Sequence, residues 1–129
     1  MTPLVVLVVD DDPLNRKLAR DVLEAAGIET LEADRGEAAV SLVRERRPDI
    51  VLMDLRLPDM DGSEAMRRLK RDVDTSSIRV LAVTAVAGAR EQLVEAGFDG
   101  YVEKPIDVDA LPAEIRRHCL RVERPRSGG

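Results

Sequence analysis

The side chains in this chain with the clearest capacity for chemistry are the run Asp10-Asp11-Asp12, then Asp54, Thr84, and Lys104 followed by Pro105. Each of them follows closely on a short apolar run. Asp10, Asp11 and Asp54, brought together, would repel one another and raise one another's pKa unless a cation entered. Mg²⁺ suits such a set because it takes oxygen ligands in an octahedron and keeps several waters, and Mn²⁺ is the alternative. The charges balance, since three carboxylates face one divalent ion and the Lys104 ammonium. A carboxylate clamped by a metal and a lysine is a route to an acyl phosphate, which makes Asp54 the expected phosphoryl acceptor. A phosphoryl dianion on Asp54 would leave one negative charge in excess. The Thr84 hydroxyl, Lys104 and nearby backbone N–H groups are the donors expected to meet it.

Positioning these groups requires elements that bring distant segments together. Apolar runs at 4–9, 28–32, 50–53, 80–83 and 100–102 read as strands, and the continuously apolar ones suit parallel strands covered on both faces. Helical spacing lies between them. Leu14, Leu18, Val22 and Ala25 form one stripe, Ala38, Ala39, Leu42 and Val43 a second, and Ala65, Met66 and Leu69 a third. A short fourth helix at 89–96 carries Leu93 and Val94, and a fifth carries Val108, Leu111, Ile115, Cys119 and Val122. Asp12-Pro13 supplies a cap and a first-turn proline, while Gly27 and Gly97 supply stops. Five strand–helix units in series predict an α/β, doubly wound parallel sheet with right-handed crossovers. Ligands of such sheets bind outside the carboxyl ends of the strands, where Asp10, Asp54, Thr84 and Lys104 fall. Asp34 also follows a strand, but at an edge, away from the cluster.

The composition agrees with one soluble domain. In 129 residues, 44% are hydrophobic and 35% charged, with one Phe, one Tyr and no Trp, so Val, Leu, Ile and Ala must build the core. A net charge of −5 argues against nucleic acid as the main partner. The single Cys119 allows no disulfide framework, and no apolar run reaches membrane-spanning length. A cytoplasmic location is expected. Residues 1–123 read as one domain and 124–129 as a frayed, disordered tail.

The Asp10-Asp11 pair, the run Asp54-Leu55-Arg56-Leu57-Pro58-Asp59-Met60-Asp61-Gly62, the Thr84-Ala85 step, Tyr101 and Lys104-Pro105 together resemble the receiver domain of bacterial response regulators. The resemblance runs from Leu4 to about Leu120. It implies a flavodoxin-like sheet of order 2-1-3-4-5 with five helices and a phosphorylation switch of two-component signalling. It further implies a phosphoacceptor at Asp54, and a Mg²⁺ site of Asp10, Asp11, Asp54 and the Arg56 backbone carbonyl. Lys104 would bind the phosphoryl group, with a Lys104–Pro105 bond open to the cis form. Thr84 and Tyr101 match the switch pair, and Arg56 and Val86 match positions that tune phosphate lifetime. The expected partners are a histidine kinase or histidine phosphotransfer protein and a downstream protein target. The segment from Thr84 to Tyr101 is shorter than the family usually shows, which bears on the fourth helix and the output face.

Plainer readings compete at single positions. Asp12 reads as a helix cap, Cys119 as core, and His118 has no catalytic part. Arg116, Arg117, Arg121, Arg124 and Arg126 read as cations favoured at a helix C-terminus. Arg16, Lys17 and Arg20 form the expected donor-docking face of the first helix. A phosphatase resembling the haloacid dehalogenases, with Asp10 as nucleophile and Asp12 as acid, would leave Asp54 without a role. An unphosphorylated docking module would leave the acidic set without one.

Overall fold

The computed structural model describes residues 3–86 and 88–123, with the backbone alone for 120–123. Strands β1 (Val5–Val9), β2 (Glu29–Ala33), β3 (Ile50–Asp54), β4 (Arg79–Thr84) and β5 (Gly100–Glu103) alternate with helices α1 (Pro13–Ala25), α2 (Gly36–Arg46), α3 (Gly62–Arg71), α4 (Arg90–Ala96) and α5 (Leu111–Glu123). The strands form one parallel sheet in the order β2-β1-β3-β4-β5. Successive strands are added on one side of β1 and then on the other, so the strand order reverses between β1 and β3, and that switch point opens a crevice at their carboxyl ends. Asp54 and Thr84 are the last residues of β3 and β4, within the strands rather than after them.

Alternating side chains build two cores. Leu7, Val9, Val51, Met53, Val80 and Ala82 face α2, α3 and α4, where Ala39, Val43, Met66, Leu69 and Leu93 cover them. Val6, Val8, Ile50, Leu52, Leu81, Val83 and Val102 face α1 and α5, under Ala19, Leu23, Leu111 and Ile115. Both faces of β3 are therefore covered, which explains its unbroken apolar sequence.

Helix α1 departs from the expected stripe. Leu14 and Leu18 are 60% and 49% exposed and Ala25 is exposed, while Ala19 and Leu23 are buried. Ala19 presents only a methyl group, so it allows the helix axis close to the sheet, and Val22 remains at the margin. On α4, Leu93 is buried but Val94 is exposed. On α5, Leu111 and Ile115 are buried and Cys119 is half-buried, and Val108 lies before the first turn. His118, from the neighbouring position, is also buried, packing near enough to β5 that a Cβ on Gly100 would meet its ring. The side chains of Arg121 and Val122, and residues 124–129 with Arg124 and Arg126, lie outside the described residues.

Helix ends follow their sequence signals. The Asp12 carboxylate accepts from Leu14 N at 2.9 Å, and Pro13 opens the helix. Gly27 and Gly97 hold φ of 84° and 119°, which a side chain would strain. Helix α2 is capped from a distance. Arg35 supplies no side-chain cap; instead Asp59 accepts from Gly36 N at 2.8 Å and Glu37 N at 3.0 Å. The loop after β3 is thereby tied to α2. Burial alone would raise the Asp59 carboxyl, but these two backbone donors and the Arg35 charge hold it below its ordinary value.

Candidate acidic site at the carboxyl edge of the sheet

Asp10 leaves β1 buried between the carboxyl ends of its neighbours. Its backbone N–H donates to Ala33 O at 3.1 Å, and its carbonyl accepts from Arg16 Nη1 at 2.7 Å. Its carboxylate accepts from Asp12 N at 2.9 Å and from Asn15 Nδ2 at 3.3 Å. Asp11, next in the chain, is exposed. Burial pushes the Asp10 carboxyl above its ordinary value and the Asp54 charge adds to this, against the Asp12 backbone bond, Lys104 and Asn15.

Asp54 ends the central strand. Its Oδ1 accepts from Arg56 N at 3.2 Å and its Oδ2 from Lys104 Nζ at 3.0 Å, with side-chain exposures of 6% for Asp54 and 28% for Lys104. The loop that follows is forced close. Gly62 N donates to Leu55 O at 2.8 Å, and a Cβ at Gly62 would collide with the Asp54 carbonyl oxygen. Only glycine allows α3 to start against the end of β3.

Lys104 reaches Asp54 because β5 ends beside β4: Lys104 N donates to Thr84 O at 2.7 Å, and the Lys104–Pro105 bond is cis. Thr84 is buried, and its hydroxyl oxygen accepts from Val86 N at 3.0 Å. Tyr101 pairs in register with Ala82 and is half-buried against the α2–α4 core. It borders a cleft of about 630 Å³ whose lining includes Arg90, Val94, Glu103 and Arg117. Arg56 and Val86 are exposed.

The structure thus gathers Asp10, Asp11, Asp54 and Lys104 at the carboxyl ends of the strands, with Thr84 beside Lys104. One carboxylate oxygen each from Asp10, Asp11 and Asp54 lies within 4.8 Å of the others, and among the described residues no other His, Cys, Asp or Glu group is so arranged. Hard oxygen donors from three carboxylates fit a small divalent cation such as Mg²⁺. The expected docking trio is different from its sequence reading. Arg16 is largely buried, and Arg16 and Arg20 both pair with Glu32, at 3.1 and 2.8 Å. Lys17 pairs with Asp21 at 2.7 Å. The free character of that face is apolar, from Leu14 and Leu18. Leu18 lines a groove of about 380 Å³ with Asp10, Ala85, Pro105, Ile106 and Val108, so the groove opens onto the acidic site.

Asn15 and Arg16 were not legible as neighbours of the acids. The signal was the cap: with Asp12 as N-cap, positions 15 and 16 return to the same side one turn later.

Such a fold and site define a doubly wound α/β protein with an acidic, lysine-braced cleft at its switch point. Residues 6–116 match the response regulator receiver domain, and the chain belongs to that family. It is 44% identical over 118 residues to the polar-differentiation response regulator DivK of Brucella anthropi, covering 90% of this chain and 96% of that protein. The chemotaxis response regulator CheY4 of Vibrio cholerae shares the fold, with a TM-score of 0.85 at 24% identity over 91% of this chain and 99% of that one. The receiver domain of a sensor histidine kinase from Pseudomonas aeruginosa PAO1 superimposes with a TM-score of 0.81 at 29% identity, covering 91% and 98% of the two chains. That structure has a magnesium ion coordinated in its active site cleft. No helix among the described residues is long and apolar enough to cross a membrane.

Proposed function

We propose that this chain is a phosphorylation-dependent signalling switch that takes a phosphoryl group on Asp54 from a phosphohistidine donor. The observation that carries the reading is the buried Asp54 carboxylate, held by Lys104 and set against Asp10 and Asp11. An Asp54 oxygen attacks phosphorus as the donor's N–P bond breaks, and the electron pair of that bond returns to the imidazole nitrogen. Mg²⁺ or Mn²⁺, held by Asp10, Asp11, Asp54 and the Arg56 carbonyl, would neutralise the charge on the transferring oxygens. Lys104 orients the acceptor and then pairs with the phosphoryl group. Exposed Arg56 and Val86, two positions after Asp54 and Thr84 respectively, tune the approach of water that ends the signal. Apart from this phosphotransfer and slow self-hydrolysis, no turnover is ascribed to the chain, and Asp12 is engaged as a helix cap rather than as an acid.

A histidine kinase or phosphotransfer protein would dock over Leu14, Leu18 and the adjoining groove, in the cytoplasm, and place its phosphohistidine above Asp54. Once the dianion forms, the Thr84 hydroxyl proton becomes its donor and Tyr101 turns further inward, remodelling the cleft between α4, β5 and α5 for a downstream protein. The domain would run from residue 1 to 123. The test is direct. Acetyl phosphate with Mg²⁺ should add one phosphoryl group by intact mass, and Asp54→Asn should abolish it; labelling that persists at another residue would sink the assignment.

A further inference from the structure

Glu32 lies on β2, the edge strand farthest in sheet order from Lys104, yet it connects to the acidic site through one side chain. The Arg16 fork spans the gap: Nε meets Glu32 Oε1 at 3.1 Å while Nη1 donates to the Asp10 carbonyl at 2.7 Å. Arg20 Nη1 holds the other Glu32 oxygen at 2.8 Å. The pair is well sheltered, with side-chain exposures of 18% for Arg16 and 29% for Glu32. A planar guanidinium fixed at one arm has little freedom left at the other. It therefore dictates where the Asp10 carbonyl lies, and with the Ala33 bond the two peptide groups on either side of the Asp10 Cα are both held.

We propose that Arg16 is a positioning residue for the divalent-cation site, aimed by Glu32, which sets the Asp10 and Asp11 carboxylates in ligating geometry. The proposal rests on the reading of Asp10, Asp11 and Asp54 as a Mg²⁺ site. Two effects of Arg16 have opposite signs. As a cation near the site it repels Mg²⁺, so Coulomb's law alone would make its removal tighten binding. As a clamp it preorganises the ligands, so its removal loosens binding. Partners one shell beyond the ligands cost about 10- to 100-fold in metal affinity when lost, which exceeds a screened charge at this exposure.

Titration of Mg²⁺ into the unphosphorylated full chain, followed by backbone amide NMR signals, separates these effects and reports folding at the same time. The dissociation constant is expected to rise roughly tenfold in Arg16→Gln and by a similar factor in Arg16→Lys, which keeps the charge and loses the fork. Glu32→Gln should shift it the same way by roughly threefold. Unchanged or tighter binding in both Arg16 variants, with the folded spectrum retained, overturns the proposal. Should Arg16→Gln not fold, Arg16→Lys and Glu32→Gln decide it, and unchanged binding in both overturns it. A parent chain with no saturable Mg²⁺ response, or one whose response survives Asp11→Asn, overturns the metal reading and the proposal together.

Discussion

Lys104 Nζ sits 3.0 Å from Asp54 Oδ2 and joins the ends of β5 and β3 across 50 positions of sequence. The carboxylate is nearly inaccessible and the ammonium is partly open to solvent. Lys104→Ala should destabilise the protein by about 1–2 kcal/mol, because it strands a buried acceptor. The same change should slow phosphorylation by small donors roughly a hundredfold, the scale of losing one charge-stabilising donor. Thermal unfolding and a timed acetyl phosphate assay measure the two effects separately.

Asp10 predicts an unusual pH dependence for the metal-free protein. Its carboxyl is raised above 3.8 by burial first and by Asp54 second. The folded chain therefore binds that proton more tightly than the unfolded chain does. Its contribution to stability is full at low pH and is lost as pH rises from 3.8 through the raised value. Asp10→Asn should remove this loss, raising the melting temperature of the metal-free protein at neutral pH while weakening Mg²⁺ binding. Melting curves across pH, with and without Mg²⁺, check both signs, and a lower melting temperature for Asp10→Asn at neutral pH would refute the account.

Two glycines distinguish backbone from side-chain crowding. A Cβ at Gly62 strikes the Asp54 carbonyl, which cannot yield without moving β3, whereas one at Gly36 strikes the flexible Met60 side chain. Gly62→Ala should cost upwards of about 3 kcal/mol, and Gly36→Ala about 1 kcal/mol. Denaturant unfolding ranks them, and equal costs would contradict the geometry.

Asp59 caps a helix that is remote in sequence. Asp59→Ala should lose about 1 kcal/mol, the usual worth of a side-chain cap. Since the Asp59 carboxyl is held low in the fold, its contribution is present above the unfolded value and fades as pH falls. Asp59→Ala and the parent chain should thus converge in stability on acidification.

The exposed pair on α1 separates transfer from chemistry. Leu14→Ser with Leu18→Ser should leave acetyl phosphate labelling within a factor of about two, while slowing transfer from a phosphohistidine protein roughly tenfold or more. Rates with the two donor types, side by side, decide this.

Strand number and the acidic set could be read from the chain, since apolar runs and the chemistry after each one survive without tertiary knowledge, whereas the strand order came only with the family resemblance. The phase of α1 could not. Leu14, Leu18, Val22 and Ala25 make as good a stripe as the true buried line through Ala19 and Leu23, and periodicity does not reveal which adjacent line meets the sheet. The sheet favoured the smaller residue, and two leucines were left outside. The short α4, Arg90–Ala96, was legible as a reduced spacing, but the exposure of Val94 depends on which side the helix turns inward, and that side carries Leu93. Distant capping by Asp59 and the Arg16 fork were also hidden, because both depend on a loop and a strand meeting an element far off in sequence.

The acidic cleft draws its members from three crossings of the sheet, with Asp10 and Asp11 after β1, Asp54 at the end of β3 and Lys104 after β5, and no two of those crossings suffice to assemble it. A nascent or partly unravelled chain has Asp54 but neither Lys104 nor Asp10 beside it. On the proposed reading, competence to accept phosphate would double as an audit of folding: only a molecule that has closed its longest loops would carry the signal, and damaged copies would fall silent instead of misreporting.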